Sequence, residues 1–157
     1  MSRVPELGRR GGGWLILQAL LAAAVVGCSF LGVYWPHRAE SFLGVLGFVV
    51  AVAGLAVLVL GVLALGRSFT PLPRPHPRAE FREGGPYRFV RHPIYGGVIL
   101  VAFGWSIADA PVALAPSALL AVLFDLKSRR EEAWLVERYP AYASYRERTR
   151  RFVPLLY

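Results

Sequence analysis

Two long stretches of the chain contain no charged side chain, and two shorter apolar stretches follow them. The long stretches are Trp14–Tyr34 and Ser41–Gly66. Each supplies the ~20 residues that a helix needs to cross the ~30 Å hydrocarbon core of a bilayer. The shorter stretches are Ile94–Ala108 and Val112–Phe124. The pattern predicts an all-α, polytopic membrane protein with about four transmembrane helices.

The two shorter stretches are expected to form a tight helical hairpin that turns at Asp109–Pro111. At ~1.5 Å per residue, each gives only about 20–25 Å of helix. They must therefore tilt little, thin the bilayer or extend at their cytoplasmic ends. The alternative is a re-entrant pair that does not reach the far side of the membrane.

The positive charge of the chain is unevenly distributed. Of 18 basic residues, only Arg38 falls in the predicted outer loops, Pro36–Glu40 and Asp109–Pro111, whereas six arginines lie in Arg67–Arg91 and eight basic residues lie from Lys127 onward. Positive charge gathers on the cytoplasmic side of membrane proteins, so both termini are predicted to be cytoplasmic. Topology and anionic headgroups account for the net charge of +8 without a nucleic-acid partner. The arginine-rich composition indicates a bacterial inner membrane.

Cys28 is the single cysteine, so no intramolecular disulfide can form. The preceding residues, Val25–Gly27, give the segment the form of a lipoprotein cleavage box. The alternative, which we favour, is a small thiol inside a transmembrane helix.

Glycines recur at intervals of seven in two of the predicted helices. Gly47, Gly54 and Gly61 lie in the second apolar stretch, and Gly97 and Gly104 lie in the third. Small residues on one stripe let another membrane helix approach closely. We therefore expect these glycines to mark helix contacts.

The chain is predicted to form one membrane domain: a tail (1–13), two N-terminal helices (14–66), and a part (67–157) with a loop, the hairpin and C-terminal helices. Prolines make residues 70–77 extended. The loop is nevertheless expected to pack down, because it carries Phe69, Phe81, Tyr87 and Phe89. The polar segments 125–138 and 140–151 are predicted to be helices at the headgroup level.

The start of the third helix can bind an anion. Pro93 suits the first helical position, which places His92 at the N-cap. The free N–H groups of Ile94 and Tyr95 would then point into the mouth of the bundle, as in other anion sites at helix N-termini.

The adjacent carboxylates Glu131 and Glu132 follow the fourth apolar stretch, near the same mouth. Together with the anion site they fit a ligand with a carboxylate and an ammonium group, such as the methionine part of S-adenosylmethionine. Its sulfonium and adenine would suit aromatic rings such as Tyr87. Taken alone, these residues also fit a capped helix end and a solvated acidic face.

The order and spacing of these motifs resemble the isoprenylcysteine carboxyl methyltransferase family and its phospholipid-methyltransferase relatives. The resemblance covers about residues 66–157 and rests on Phe69-Thr70-Pro71-x-Pro73, Gly85-Pro86-Tyr87, Arg91-His92-Pro93-x-Tyr95-x-Gly97, Glu131-Glu132-x-x-Leu135 and Tyr142-x-x-Tyr145. It implies a membrane methyltransferase that binds S-adenosylmethionine at the cytoplasmic face. The implied cofactor-binding residues are Phe81 and Arg82 (through backbone), Tyr87, His92, Pro93, Ile94, Tyr95 and Glu131.

The residues predicted for catalysis are Arg91, Lys127 and Glu132. Lys127 stands where the family has a substrate-side arginine, which keeps the charge but loses bidentate carboxylate binding. Arg91 or Lys127 would hold an anionic acceptor, and Glu131 or Glu132 would serve as general base for an amine. No metal site is predicted.

The sequence leaves open whether the lipophilic acceptor, a lipid or a small molecule, offers a carboxylate, an amine or a thiol. It also leaves the oligomeric state open. Two other functions remain possible at this point: a membrane reductase with a nicotinamide cofactor, and a non-catalytic scaffold in which the histidine and glutamates only cap helices.

Overall fold

The protein is a bundle of α-helices. The computed structural model describes residue 7, residues 11–70 and residues 81–152. Its helices are α1 (Gly12–Gly27), α2 (His37–Leu65), α3 (Pro93–Ala108), α4 (Leu114–Arg138) and α5 (Tyr142–Arg148). Within these ranges β-structure is limited to one isolated bridge, between Val90 and Arg150. The predicted all-α class is confirmed.

Three helical segments are long and apolar enough to cross a membrane: Gly12–Leu31, His37–Ser68 and Pro111–Arg138. The protein is therefore a membrane protein. The fourth apolar helix, α3, has 16 residues, about 24 Å of helix. The predicted turn is confirmed, because α3 ends at Ala108 and a 3-10 turn at Pro111–Ala113 leads into α4.

The C-terminal third of the chain differs from the prediction. The apolar stretch ending at Phe124 and the polar stretch after it form one continuous helix, α4, of 25 residues. No glycine or proline interrupts residues 117–138, so the change in polarity gives no reason for the helix to end. The helix predicted at 140–151 is shorter, because α5 covers only Tyr142–Arg148. Residues 149–152 run beside residues 89–92.

The glycines of α2 and α3 lie against each other, as predicted. A Cβ atom at Gly54 would lie 2.8 Å from the carbonyl oxygen of Gly97, and one at Gly97 would lie 2.7 Å from that of Gly54. Cβ atoms at Gly47, Gly61 and Gly104 would also meet the opposite helix. As a result α3 packs most extensively against α2, and α4 packs against α1 as well as α3.

Substituting Gly54 with alanine is expected to destabilise the bundle by about 1–3 kcal/mol, because the added methyl group has backbone on the opposite side and cannot be accommodated. Gly44 is the matched control, since a Cβ there meets nothing within 4 Å. Thermal unfolding in detergent should show a lower Tm for Gly54→Ala only. Equal Tm values for the two variants would contradict the close packing of α2 and α3.

The topology brings four helix ends together. The beginnings of α1 and α3 and the ends of α2 and α4 lie at one end of the bundle, because consecutive helices run in opposite directions. At the other end, the Trp105 indole donates a hydrogen bond of 2.9 Å to Ser29 Oγ. The residues predicted for chemistry all lie at the first end.

Candidate active site

One cavity opens at the end of the bundle where these helix ends meet. Its empty space, counted out to and including the open mouth, is about 1000 Å³. Its wall contains nine of the predicted site residues: Phe81, Arg82, Tyr87, Arg91, His92, Ile94, Tyr95, Lys127 and Glu131. The two others, Pro93 and Glu132, are not among the wall residues.

His92 is the residue before the first turn of α3, with Pro93 at the first helical position, as predicted. Its side chain does not cap the helix. Instead, its ring stacks on Tyr95 with 5.3 Å between ring centroids, and Nε2 lies 3.2 Å from Glu132 Oε1. His92 therefore ties the start of α3 to α4.

The adjacent glutamates of α4 have different surroundings. Glu131 faces the cavity, where its Oε2 accepts a 2.7 Å hydrogen bond from the Tyr95 hydroxyl. The Glu131 side chain is 23% exposed, whereas that of Glu132 is 5% exposed. Only Glu131 is therefore placed to meet a ligand.

Glu132 lies in a buried cluster of charges. Its Oε1 accepts hydrogen bonds from Arg91 Nε at 2.8 Å and from Arg151 Nε at 3.3 Å. With His92 it thus has three basic neighbours. A carboxylate held by these groups serves to fix α3, α4 and the C-terminal segment to one another.

The C-terminal segment 149–152 runs beside residues 89–92. The backbone N–H of Arg91 donates to the carbonyl of Arg150 at 2.8 Å, and that of His92 donates to Arg151 at 3.1 Å. The Arg91 guanidinium also donates to the carbonyl oxygens of Arg146 and Thr149. This pairing was not predicted, because so short a segment has no periodic pattern in the sequence.

Lys127 is the buried cation of the cavity, with 1% of its surface exposed. Its Nζ donates a 2.8 Å hydrogen bond to Gln18 Oε1 of α1. It also lies 4.9 Å from the ring centroid of Tyr95 and 5.6 Å from that of Phe124. Gln18 was missed by the sequence analysis, although a lone polar residue in a membrane helix is itself a signal of function.

The phospholipid methyltransferase family model matches residues 42–142, more than half of the chain. The chain belongs to this family. The match contains all the predicted site residues and leaves out α1 with Gln18. A comparison with curated proteins gave no match.

The mouth of the cavity in this membrane methyltransferase is aromatic. Phe81 stacks on Tyr139 at 5.6 Å and meets Tyr142 and Tyr145 edge-on at 5.6 and 5.3 Å. Phe69 and Tyr87 also line the cavity, as expected, whereas Phe89 is 56% exposed and does not pack down. The extended segment expected at 70–77 lies almost entirely outside the described residues.

Three buried tyrosines of this methyltransferase, Tyr87, Tyr142 and Tyr145, stay protonated. Burial, followed by nearby carboxylates, raises the pKa values of Tyr87 and Tyr142 well above the usual range for a phenol. Burial likewise raises the pKa of Tyr145, whose hydroxyl donates a 2.6 Å hydrogen bond to the carbonyl oxygen of Tyr87. These side chains therefore act as neutral hydrogen-bond donors at physiological pH.

Proposed function

We propose that the protein is an S-adenosylmethionine-dependent methyltransferase that acts on a lipophilic acceptor at the cytoplasmic face of a membrane. The observation that carries the proposal is a cavity in a member of a methyltransferase family, with Glu131, Lys127 and several aromatic rings in its wall. Family membership favours methyl transfer over the reductase and scaffold alternatives.

The residues of the wall fit the cofactor. Glu131 offers a carboxylate to an ammonium or sulfonium group, and aromatic faces such as that of Tyr87 attract the same cations. The N–H groups of Ile94 and Tyr95, in the first turn of α3, suit a carboxylate. When bound, S-adenosylmethionine supplies a methyl group activated by a sulfonium and leaves as S-adenosylhomocysteine.

The acceptor is proposed to bind at the inner end of the cavity. Gln18, Val98 and Phe124 line the cavity and belong to the apolar parts of α1, α3 and α4. A lipophilic acceptor can therefore approach between helices, and the wall excludes water from the reacting atoms. Fixed orientation of two reactants contributes several kcal/mol to such a reaction.

We propose that the acceptor reacts as an anion, a carboxylate or a thiolate, held by Lys127. The new bond forms to the acceptor oxygen or sulfur as the bond from the methyl carbon to the sulfonium breaks, so no proton needs to leave. An amine would have to lose a proton, and Glu132 is unsuited to accept it because Arg91, His92 and Arg151 surround it. Arg91 donates to Glu132 and to the carbonyl oxygens of Arg146 and Thr149, so it becomes a positioning residue.

Substituting Lys127 with methionine is expected to lower methylation of a lipophilic acid about 10–100-fold, since the anion loses a charged partner in a buried site. The assay transfers a labelled methyl group to long-chain acids, thiols and amines of equal chain length. Lys127→Arg is the matched control and should retain most activity. Preference for the amine, or full activity of Lys127→Met, would contradict an anionic acceptor.

The orientation is part of the proposal. Basic residues lie in the segments that precede α1 and join α2 to α3, and in the last part of α4 and beyond it, whereas the opposite end of the bundle has Arg38 alone, in the first turn of α2. This distribution supports cytoplasmic termini, and the arginine-rich composition supports a bacterial inner membrane. With this orientation the mouth of the cavity would open to the cytoplasm.

A further inference from the structure

Tyr142 carries a buried polar group that no described residue satisfies. The side chain belongs to the cavity wall, and 2% of the residue is exposed. Within residues 11–70 and 81–152 its hydroxyl has no hydrogen-bond partner. Tyr145, three residues later and equally buried, instead donates to the carbonyl oxygen of Tyr87.

A buried hydroxyl without a partner costs free energy, and phenylalanine would fill the same space without that cost. Such a group in a cavity wall is therefore explained best by a partner that arrives with the ligand. The hydroxyl is available as a donor, because burial and the carboxylates of Glu132 and Glu131 raise the pKa of Tyr142 and keep it protonated. A ligand that satisfies this donor offers an acceptor nitrogen or oxygen.

The surroundings indicate which part of a ligand lies there. Phe81 meets Tyr142 edge-on at 5.6 Å and stacks on Tyr139 with an angle of 24° between the rings. Rings of this kind favour a flat heteroaromatic group through offset stacking. Of the two parts of the proposed cofactor, the nucleoside has such a ring and carries acceptor nitrogens and ribose oxygens beside it.

We propose that the Tyr142 hydroxyl donates a hydrogen bond to the nucleoside part of the bound cofactor, within a pocket walled by Phe81 and Tyr139. This inference rests on the proposed function and deepens it, because it makes Tyr142 a residue that selects the nucleoside. The methionine part of the cofactor is then left to Glu131 and the start of α3.

The test compares Tyr142→Phe with wild-type protein by calorimetry in detergent. The two probes are S-adenosylhomocysteine and 5′-methylthioadenosine, which contains the nucleoside but no amino-acid group. Tyr142→Phe should bind both probes about tenfold more weakly. Its Tm without ligand should be equal to or above that of wild type, since the variant removes only an unsatisfied group.

Tyr145→Phe is the matched control for the fold. It removes the hydrogen bond to Tyr87, so its Tm should fall. Unchanged binding of both probes by Tyr142→Phe would overturn the inference, and so would weaker binding of S-adenosylhomocysteine alone, which places the contact on the amino-acid part. A wild-type protein that binds neither probe would overturn the proposed function and this inference with it.

Discussion

Replacing Glu131 with alanine is expected to abolish binding of S-adenosylmethionine, with a loss of at least about 100-fold. Among the described residues of the cavity wall, Glu131 is the only acidic one. The variant would leave a cationic ligand beside Lys127 with no carboxylate free to meet it, because Glu132 is already paired with Arg91 and His92. Calorimetric titration of purified protein in detergent measures the effect directly.

The fold should survive this substitution. Glu131 accepts a hydrogen bond from the Tyr95 hydroxyl and forms a weak 3.9 Å ion pair with His92 Nδ1. We therefore expect a Tm close to that of wild type. Glu137→Ala, on an exposed position of the same helix, is the matched control and should bind normally. Retained binding by Glu131→Ala would remove Glu131 from the proposed cofactor site.

Replacing the next residue, Glu132, with alanine is expected to destabilise the fold, unlike the substitution of Glu131. The variant would leave the side chains of Arg91, His92 and Arg151 close together without the carboxylate that they share. The site is buried, since only 4% of the surface of Glu132 is exposed. Breaking a buried ion pair on one side costs about 3–5 kcal/mol, a large part of the stability of a small protein. We expect poor expression or a Tm many degrees below wild type.

Thermal unfolding of Glu131→Ala and Glu132→Ala side by side distinguishes the two roles. A second variant, Arg151→Ala, should also lower the Tm, because Arg151 joins Glu132 to Asp125. If Glu132→Ala kept the wild-type Tm but lost methyl transfer to an acceptor, the structural role would be wrong. Glu132 would then be a candidate general base, as the sequence first indicated.

The features predicted correctly from the sequence depend on neighbours along the chain. Uncharged stretches show where helices cross the membrane, and the interval of seven between Gly54 and Gly61 marks one side of a helix whatever lies against it. The position of His92 before α3 follows from Pro93 alone. Each of these signals is local, so a single sequence was enough.

The features that were missed depend on contacts between distant segments. Gln18 meets Lys127 across 109 positions, and the backbone N–H of Arg91 meets the carbonyl of Arg150 in another part of the chain. The family resemblance assigned cofactor binding to Glu131 and catalysis to Glu132, but the residue pattern alone could not tell the two apart. About 100° of helix rotation separates them, and only the packing decides which one faces the cavity.

The proposed function is tested most directly by calorimetric titration of the wild-type protein with S-adenosylmethionine and, separately, with a reduced nicotinamide cofactor. S-adenosylmethionine should bind to one site per chain and be displaced by S-adenosylhomocysteine, and the nicotinamide cofactor should give no signal. Failure to bind S-adenosylmethionine would limit the relationship with methyltransferases to the fold. Binding of the nicotinamide cofactor in its place would contradict the proposed function.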